Sequence, residues 1–469
     1  MNAHGKTMRA NLGWLGAGVA ASAVMQYALY FAAARCLGAH DYGVFSLALA
    51  AAVLAAPFCD LGSSVAIVCT GARNPAALPH CLGASLLLRA LAVVPVAGIA
   101  LAFGGIAGYG AEFASLFVPL FLAAVADGIG SLGAATCQAR EQMSRSALQQ
   151  VWRNLLRGLA LAATAAAGAG PHALAWSFAI ASGLGAGHAL HVARAGGELP
   201  MRWCDLGPNL RAALPFGLAV LGTVVHGQIA VAVLGVVADP AEVGGFHLAL
   251  RFVLLLQMVP QVVAMASAPL SYRRGESGVQ PSAALYRLKI TALGGLGLLA
   301  SLLLANGAVP LVALCLGPAF AATAPLLAAL APLVFVKFTA SALGDTLAAL
   351  SRQRQLGVGC WLAAAVNIAT CGCLVPPFGA MGAVAAMLVS ETFLLLFLAW
   401  RLGVLGLDLA FTRVLRLPLL VAIGVAVLAV MVPPAVAALS SVLLFAAVAW
   451  CWPTDELRML LGRGGGERA

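Results

Sequence analysis

Apolar stretches of about 20 residues or longer recur along the chain, parted by short polar segments. At 1.5 Å per residue, such a stretch spans the hydrocarbon core of a bilayer. Lipid offers no hydrogen-bond partners, so each stretch must satisfy its own backbone as a helix. The pattern predicts about fourteen spans. They lie near residues 12–34, 42–70, 79–103, 113–138, 152–168, 172–193, 211–236, 242–270, 288–314, 319–350, 356–375, 379–400, 414–432 and 434–452. A transmembrane barrel would instead show segments of about ten residues that alternate in polarity, and runs such as 419–432 do not alternate. The first apolar stretch exceeds a signal peptide's core of about 7–15 residues and is expected to be an uncleaved span. The fold class expected is an all-α integral membrane protein.

Composition supports this reading. Of 469 residues, 62% are hydrophobic and 9% charged, with a mean hydropathy of +0.99. Soluble domains carry about a quarter charged residues, so this chain lacks the charge to cover a water-facing surface. With the N-terminus placed in the cytoplasm, the predicted spans put 22 of the 26 Lys and Arg residues on the inner side. Only Arg35 falls outside, while Arg89, Arg251 and Lys337 fall within spans. Both termini are therefore expected in the cytoplasm. The formal charge of +10 is assigned to orientation and to contact with anionic lipid, not to nucleic acid. Loops such as 169–171 and 376–378 are too short for a catalytic domain, and no P-loop sequence occurs. No catalytic residue and no enzyme activity are expected. The eleven cysteines match no zinc spacing, and His188 and His191 share a helix face without further ligands in sequence. No metal and no cofactor are expected.

An internal echo suggests duplication. Gly43 to Ala50 and Gly244 to Arg251 agree at five of eight positions, at an offset of 201. Both follow an acidic outer loop, with Asp41 in one and Asp239 and Glu242 in the other. A weaker echo links Ser131-Leu132-Gly133 to Ala342-Leu343-Gly344. Repeated halves are common in transporters. The expected division is a six-helix lobe at 1–200, a second at 201–403, two additional helices within 404–452, and a cytoplasmic tail at 453–469. A substrate pathway is expected between like-oriented lobes.

The segments Ala34-Arg35-Cys36-Leu37-Gly38, Asp41-Tyr42-Gly43-Val44-Phe45 and Asp60-Leu61-Gly62 resemble the opening signature of bacterial polysaccharide flippases. These belong to the multidrug/oligosaccharidyl-lipid/polysaccharide exporter superfamily. Val243 to Arg251 resembles the corresponding place in that family's second half, with Phe246 where tyrosine is common. The resemblance implies fourteen helices in two lobes, and a bacterial inner membrane location. The implied partners are membrane lipids, an undecaprenyl-diphosphate-linked oligosaccharide and the polysaccharide polymerase machinery. The implied activity moves that lipid-linked glycan from the cytoplasmic to the periplasmic leaflet, for O-antigen, capsule or exopolysaccharide synthesis.

A charge within a span costs about 2.5–3.5 kcal/mol on insertion scales, so it is expected to face a cavity or a partner. Arg251, Arg89 and Lys337 are candidates to bind a diphosphate, since guanidinium forks match phosphate oxygens. His247, one turn before Arg251, and His226 join them. The alternative for each cation is a buried acid; Arg89 and Lys337 also have the option of snorkelling. Asp60, Asp127, Asp345 and Glu391 are candidates for charge balance or for a coupling ion, with Asp60 and Asp127 expected near the cytoplasmic ends. Asp345 and Glu391 are the candidate partners of Lys337 or of inner-loop arginines. Arg35 is read as a helix C-terminal charge, and Gly38, Tyr42, Gly43 and Gly62 as structural members of the signature. A multidrug or cation antiporter of the same superfamily, a peptidoglycan-precursor flippase and a glycan-modifying membrane enzyme are the rival functions. The antiporter would call for a cavity of acids and aromatics, and the enzyme for acid–base pairs on a large loop.

Overall fold

The computed structural model describes residues 3–194, 199–276 and 279–407, all of them helix, short 3-10 turn or connecting loop. Among these residues no strand occurs, and nine helical stretches are long and apolar enough to cross a membrane. The spans expected at 414–432 and 434–452, and the tail, lie outside the described residues.

The chain forms two compact units, Met1–Leu248 with Asn367–Ala383, and Ala249–Val366 with Val384–Ala469. The first holds α1 (Ala3–Leu37), α2 (Ala39–Ala55), α3 (Pro57–Asp60), α4 (Ser63–Arg73), α5 (Leu78–Ile106), α6 (Gly110–Ala139), α7 (Met143–Ala166), α8 (Pro171–Arg194) and α9 (Trp203–Val237). Helix α10 (Pro240–Leu256) begins in this unit. The second holds α11 (Met258–Glu276), α12 (Val279–Cys315), α13 (Thr323–Leu330) and α14 (Pro332–Ala349), with most of α15 (Gln353–Val404). Within α15, Pro376, Pro377 and a non-helical Gly379 (φ 54°) mark a sharp kink at the expected loop 376–378.

Helix lengths repeat along with the sequence echo. Both α1 and α9 have 35 residues, and both α2 and α10 have 17. The two echoing segments meet in the first unit. A Cβ on Gly43 would lie 1.8 Å from the Pro240 carbonyl oxygen, and one on Gly244 would lie 3.0 Å from the Gly43 Cα. Only glycines permit that crossing. Beside it, the Tyr42 hydroxyl and His247 Nδ1 are hydrogen-bonded at 3.2 Å, both side chains being buried.

The stretch 42–70, expected as one continuous span, is broken. Pro57 has no N–H to donate, and Leu61 (φ 46°) and Gly62 (φ 83°) adopt left-handed backbone. Helix α9 packs into the break so closely that a Cβ on Gly62 would stand 2.2 Å from the Gly217 nitrogen. The partner stretch 242–270 breaks at Gln257, between α10 and α11. The stretch 319–350 breaks at Ala331, between α13 and α14.

In the first unit, a core of Ile67, Leu78, Leu82, Leu132 and Ala193 joins α4, α5, α6 and α8. In the second, Tyr286, Ile290, Leu343, Leu347, Leu394 and Leu398 join α12, α14 and α15. Outward-facing side chains are themselves apolar. On α5, Val94 is 75% and Ile106 87% exposed, a surface suited to lipid. Glu242 caps the second half of α15: its Oε1 accepts from the Ala380 N–H at 2.6 Å, where a carboxylate also complements the helix dipole.

Candidate functional site

Polar side chains inside an apolar bundle need reasons, and the first unit supplies them in two clusters. At the α3–α4 break, Asp60 is bonded directly to Arg89 of α5 and accepts from the Ser63 hydroxyl. Ser64 Oγ donates to the same carboxylate at 3.3 Å. Arg89 is only 2% exposed and lies over Gly128, where any larger side chain would collide with its guanidinium. Asp60 is thus held at the α3–α4 break by its partner, and Arg89 is buried against that acid.

The second cluster joins α6, α7 and α8. Asp127 is bonded to Arg157, whose Nε also donates to Ser182 Oγ at 3.1 Å. The Arg157 guanidinium stands 5.8 Å above the Phe178 ring, a cation–π distance. On the other side, Arg153 Nε faces Asp127 Oδ1 at 3.8 Å, too far for a hydrogen bond. Arg153 and Arg157 were expected among the inner-loop charges. Because α7 starts at Met143, ten residues before Arg153, both lie within the helix against an intramembrane acid.

A cavity of about 500 Å³ opens between these clusters, within the first unit, walled by α4, α6, α7 and α8. Its polar lining is Ser64, Ser131, Gln138, Gln149, Gln150 and Arg153, and its apolar lining includes Val65, Val68 and Ala134. Among the described residues, no carboxylate and no aromatic ring lines it. The three glutamines carry no formal charge and follow no spacing motif, so sequence reasoning passed over them.

In the second unit, Lys337 of α14 is bonded to Glu391 of α15, one of the pairings anticipated from sequence. Asp345 pairs with Lys289 at 2.9 Å, not with Lys337 or an inner-loop arginine. Lys289, expected in a loop, is 7% exposed within α12. Arg89 and Lys337 therefore each meet an acid, the alternative held open for them. Arg251 and His247 are buried on α10, and buried His226 lies on α9, where its carbonyl accepts from Asn367 Nδ2 at 2.9 Å. Arg35 stands in the last turn of α1, and Gly38 (φ 81°) turns the chain into α2. Among the described residues, no group of three or more His, Cys, Asp or Glu side chains is placed to hold a metal.

Substituting Glu391 by alanine would leave Lys337 charged without its acid. The expected outcome is a loss of about 3 kcal/mol of stability, seen as a lowered midpoint in thermal unfolding of the purified chain. Adding Lys337→Met should recover most of that loss.

Among known families, the one described as polysaccharide biosynthesis protein matches residues 8–273, more than half of the chain. The chain belongs to the polysaccharide biosynthesis protein family. The match takes in both echoing segments and all three segments of the opening signature, so the resemblance read from those residues holds. No curated protein matches the chain by sequence. Among solved structures, the lipid II flippase MurJ in an inward closed conformation superposes with a TM-score of 0.73 at 11% identity, covering 92% of this chain and 97% of that one. An inward-facing multidrug resistance MATE family transporter of the MOP superfamily gives a TM-score of 0.61 at 15% identity, over 86% and 95% of the two chains. A MOP superfamily transporter from Pyrococcus furiosus gives 0.58 at 15% identity, over 86% and 96%. At these identities the likeness is one of fold. This member of the polysaccharide biosynthesis family is a multi-pass membrane protein with the helical fold of those transporters.

Proposed function

We propose that this chain flips an undecaprenyl-diphosphate-linked oligosaccharide from the cytoplasmic to the periplasmic leaflet of a bacterial inner membrane, by alternating access. The observation that carries this reading is the polysaccharide biosynthesis family match over residues 8–273. A fold shared with a lipid II flippase over 92% of the chain supports it. The proposed organisation keeps six-helix lobes at 1–200 and 201–403, two further helices within 404–452, and both termini in the cytoplasm. Arg251, buried on α10, is the cation assigned to the diphosphate, with Arg89 and Lys337 as further cations of the pathway and His247 and His226 as the accompanying polar groups. The ion pairs hold helices together. The glycan would pass to polymerase machinery on the far side.

Deleting the gene tests the proposal. The expected result is loss of one surface polysaccharide and accumulation of its lipid-linked unit inside the cell, both reversed by the wild-type chain. An Arg251→Ala chain present at normal levels should fail to restore the polysaccharide. A deletion strain that keeps every surface glycan would end the proposal. If the gene proved essential with surface glycans intact, translocation of the peptidoglycan precursor would take its place.

A further inference from the structure

The cavity of the first unit carries hydrogen-bonding capacity that its own walls do not use. Gln149 is more than nine-tenths buried, and its Nε2 donates to Cys137 Sγ at 3.6 Å. Its Oε1 is buried and has no hydrogen-bond partner among the described residues; Arg153 Nε, which faces Asp127 Oδ1 at 3.8 Å, likewise makes no hydrogen bond. A buried acceptor and a buried donor left unmatched are each unfavourable by about 1–3 kcal/mol, so a native site that retains them points to a ligand that matches them. The serines add acceptors. Ser131 Oγ donates to the Asp127 carbonyl at 2.9 Å and Ser64 Oγ to Asp60 at 3.3 Å. With those protons committed, and with Ser64 Oγ also accepting from Arg89 at 3.4 Å, each hydroxyl keeps a lone pair for the cavity.

These demands discriminate among ligands. Gln149 Oε1 and the serine oxygens call for donors, which an ionised phosphate lacks. A cation would satisfy the oxygens but would meet the Arg153 guanidinium on the same wall. A hydroxyl group both donates and accepts, so it satisfies Gln149 and Arg153 together. Gln138 Nε2 donates to Ser146 Oγ at 3.0 Å, so its oxygen and the Gln150 amide add further capacity, and Val65, Val68 and Ala134 give an aliphatic surface for the C–H face of a ring. The volume of about 500 Å³ lies within the range of small-molecule sites.

We propose that this cavity is a saccharide site, which binds a sugar residue of the carried glycan through hydroxyls matched to Gln149 Oε1 and Arg153 Nε. It rests on the translocation reading for the identity of the cargo. It also places the site near the ends of α6 and α7 that flank the short loop 140–142, the end that this reading puts in the cytoplasm, where the glycan would load.

The test uses the purified full chain in lipid nanodiscs and saturation-transfer NMR. Glucose, galactose, N-acetylglucosamine and inorganic pyrophosphate serve as separate probes. The expected result is saturable binding of at least one sugar, weakened about tenfold or more in Gln149→Leu. That change keeps side-chain size and removes the unmatched oxygen, so thermal unfolding should show it at least as stable as wild type. Gln150→Leu, at the neighbouring wall position, is the second variant should Gln149→Leu not fold. Sugar binding unchanged in the folded variants would overturn the proposal, as would binding of pyrophosphate alone or of no probe. Complementation separates this inference from the function it rests on. If Gln149→Leu restores full surface glycan to the deletion strain, the saccharide site falls and translocation stands. If the deletion strain never loses a glycan while the cavity still binds sugar, translocation falls and the site stands.

Discussion

Replacing Arg89 with alanine will leave little folded protein in the membrane. The substitution strips Asp60 of the guanidinium that neutralises it at the α3–α4 break, and it empties the space above Gly128. Removing one member of a buried pair typically costs about 3–5 kcal/mol, because the remaining charge stays behind without compensation. That is a large share of the stability of most folded chains. The check is the amount of chain in the membrane fraction, together with the thermal midpoint of whatever can be purified. The double change Arg89→Met with Asp60→Leu removes both charges and should recover most of the loss. If Arg89→Ala alone proved as abundant and as stable as wild type, the pair would have no structural role.

A valine at position 43 will be as damaging, for a different reason. The glycine lies where the start of α2 meets the start of α10, and a Cβ there would sit 1.8 Å from a backbone oxygen. Backbone cannot turn aside as a flexible side chain can. The two helices would have to part by well over an ångström, opening the packing around Tyr42, Phe45 and His247, all of them fully buried. The expected outcome is failure to accumulate folded chain, measured by membrane abundance and by size-exclusion profile in detergent. At Gly98, in the lipid-facing part of α5, an added methyl group would have no neighbour within 4 Å. Gly98→Ala should therefore gain about 0.5–1 kcal/mol from the reduced entropy of the unfolded chain. The contrast separates glycines that permit an approach from those that merely occur in a glycine-rich chain.

Much of this architecture could be read in the residues because lipid leaves the chain few choices. An apolar run of sufficient length must be helical, and the echo between Gly43 and Gly244 foreshadowed helices of equal length. What stayed hidden follows from the same uniformity. Within 42–70 almost every residue is apolar, so hydropathy passed unchanged across the Pro57–Gly62 break; the proline and glycine were the visible signal. Charge pairing was hidden by distance along the chain. Asp60 and Arg89 are 29 residues apart, and Lys337 and Glu391 are 54, so only helix packing could bring them together. Arg157 and Lys289 lie near the inner edges of the predicted spans 152–168 and 288–314 and were counted with the loop charges, whereas α7 and α12 begin well before them, at Met143 and Val279. The cavity was hidden for a chemical reason. Glutamine and serine carry no charge, so they leave no mark on the loop-charge pattern from which topology was read.

The pairing of the intramembrane charges has an electrical consequence. A single charge carried across the full membrane field exchanges about 2.3 kcal/mol per 100 mV. Asp60 with Arg89 and Asp345 with Lys289 are each formally neutral pairs, so helices that move together with both partners do almost no work against that field. The cluster at Asp127, where two arginines flank one acid, carries an uncompensated unit of positive charge. Ion pairs of this kind therefore couple weakly to the resting potential, and on the proposed function most of the sensitivity to voltage would pass to the carried diphosphate.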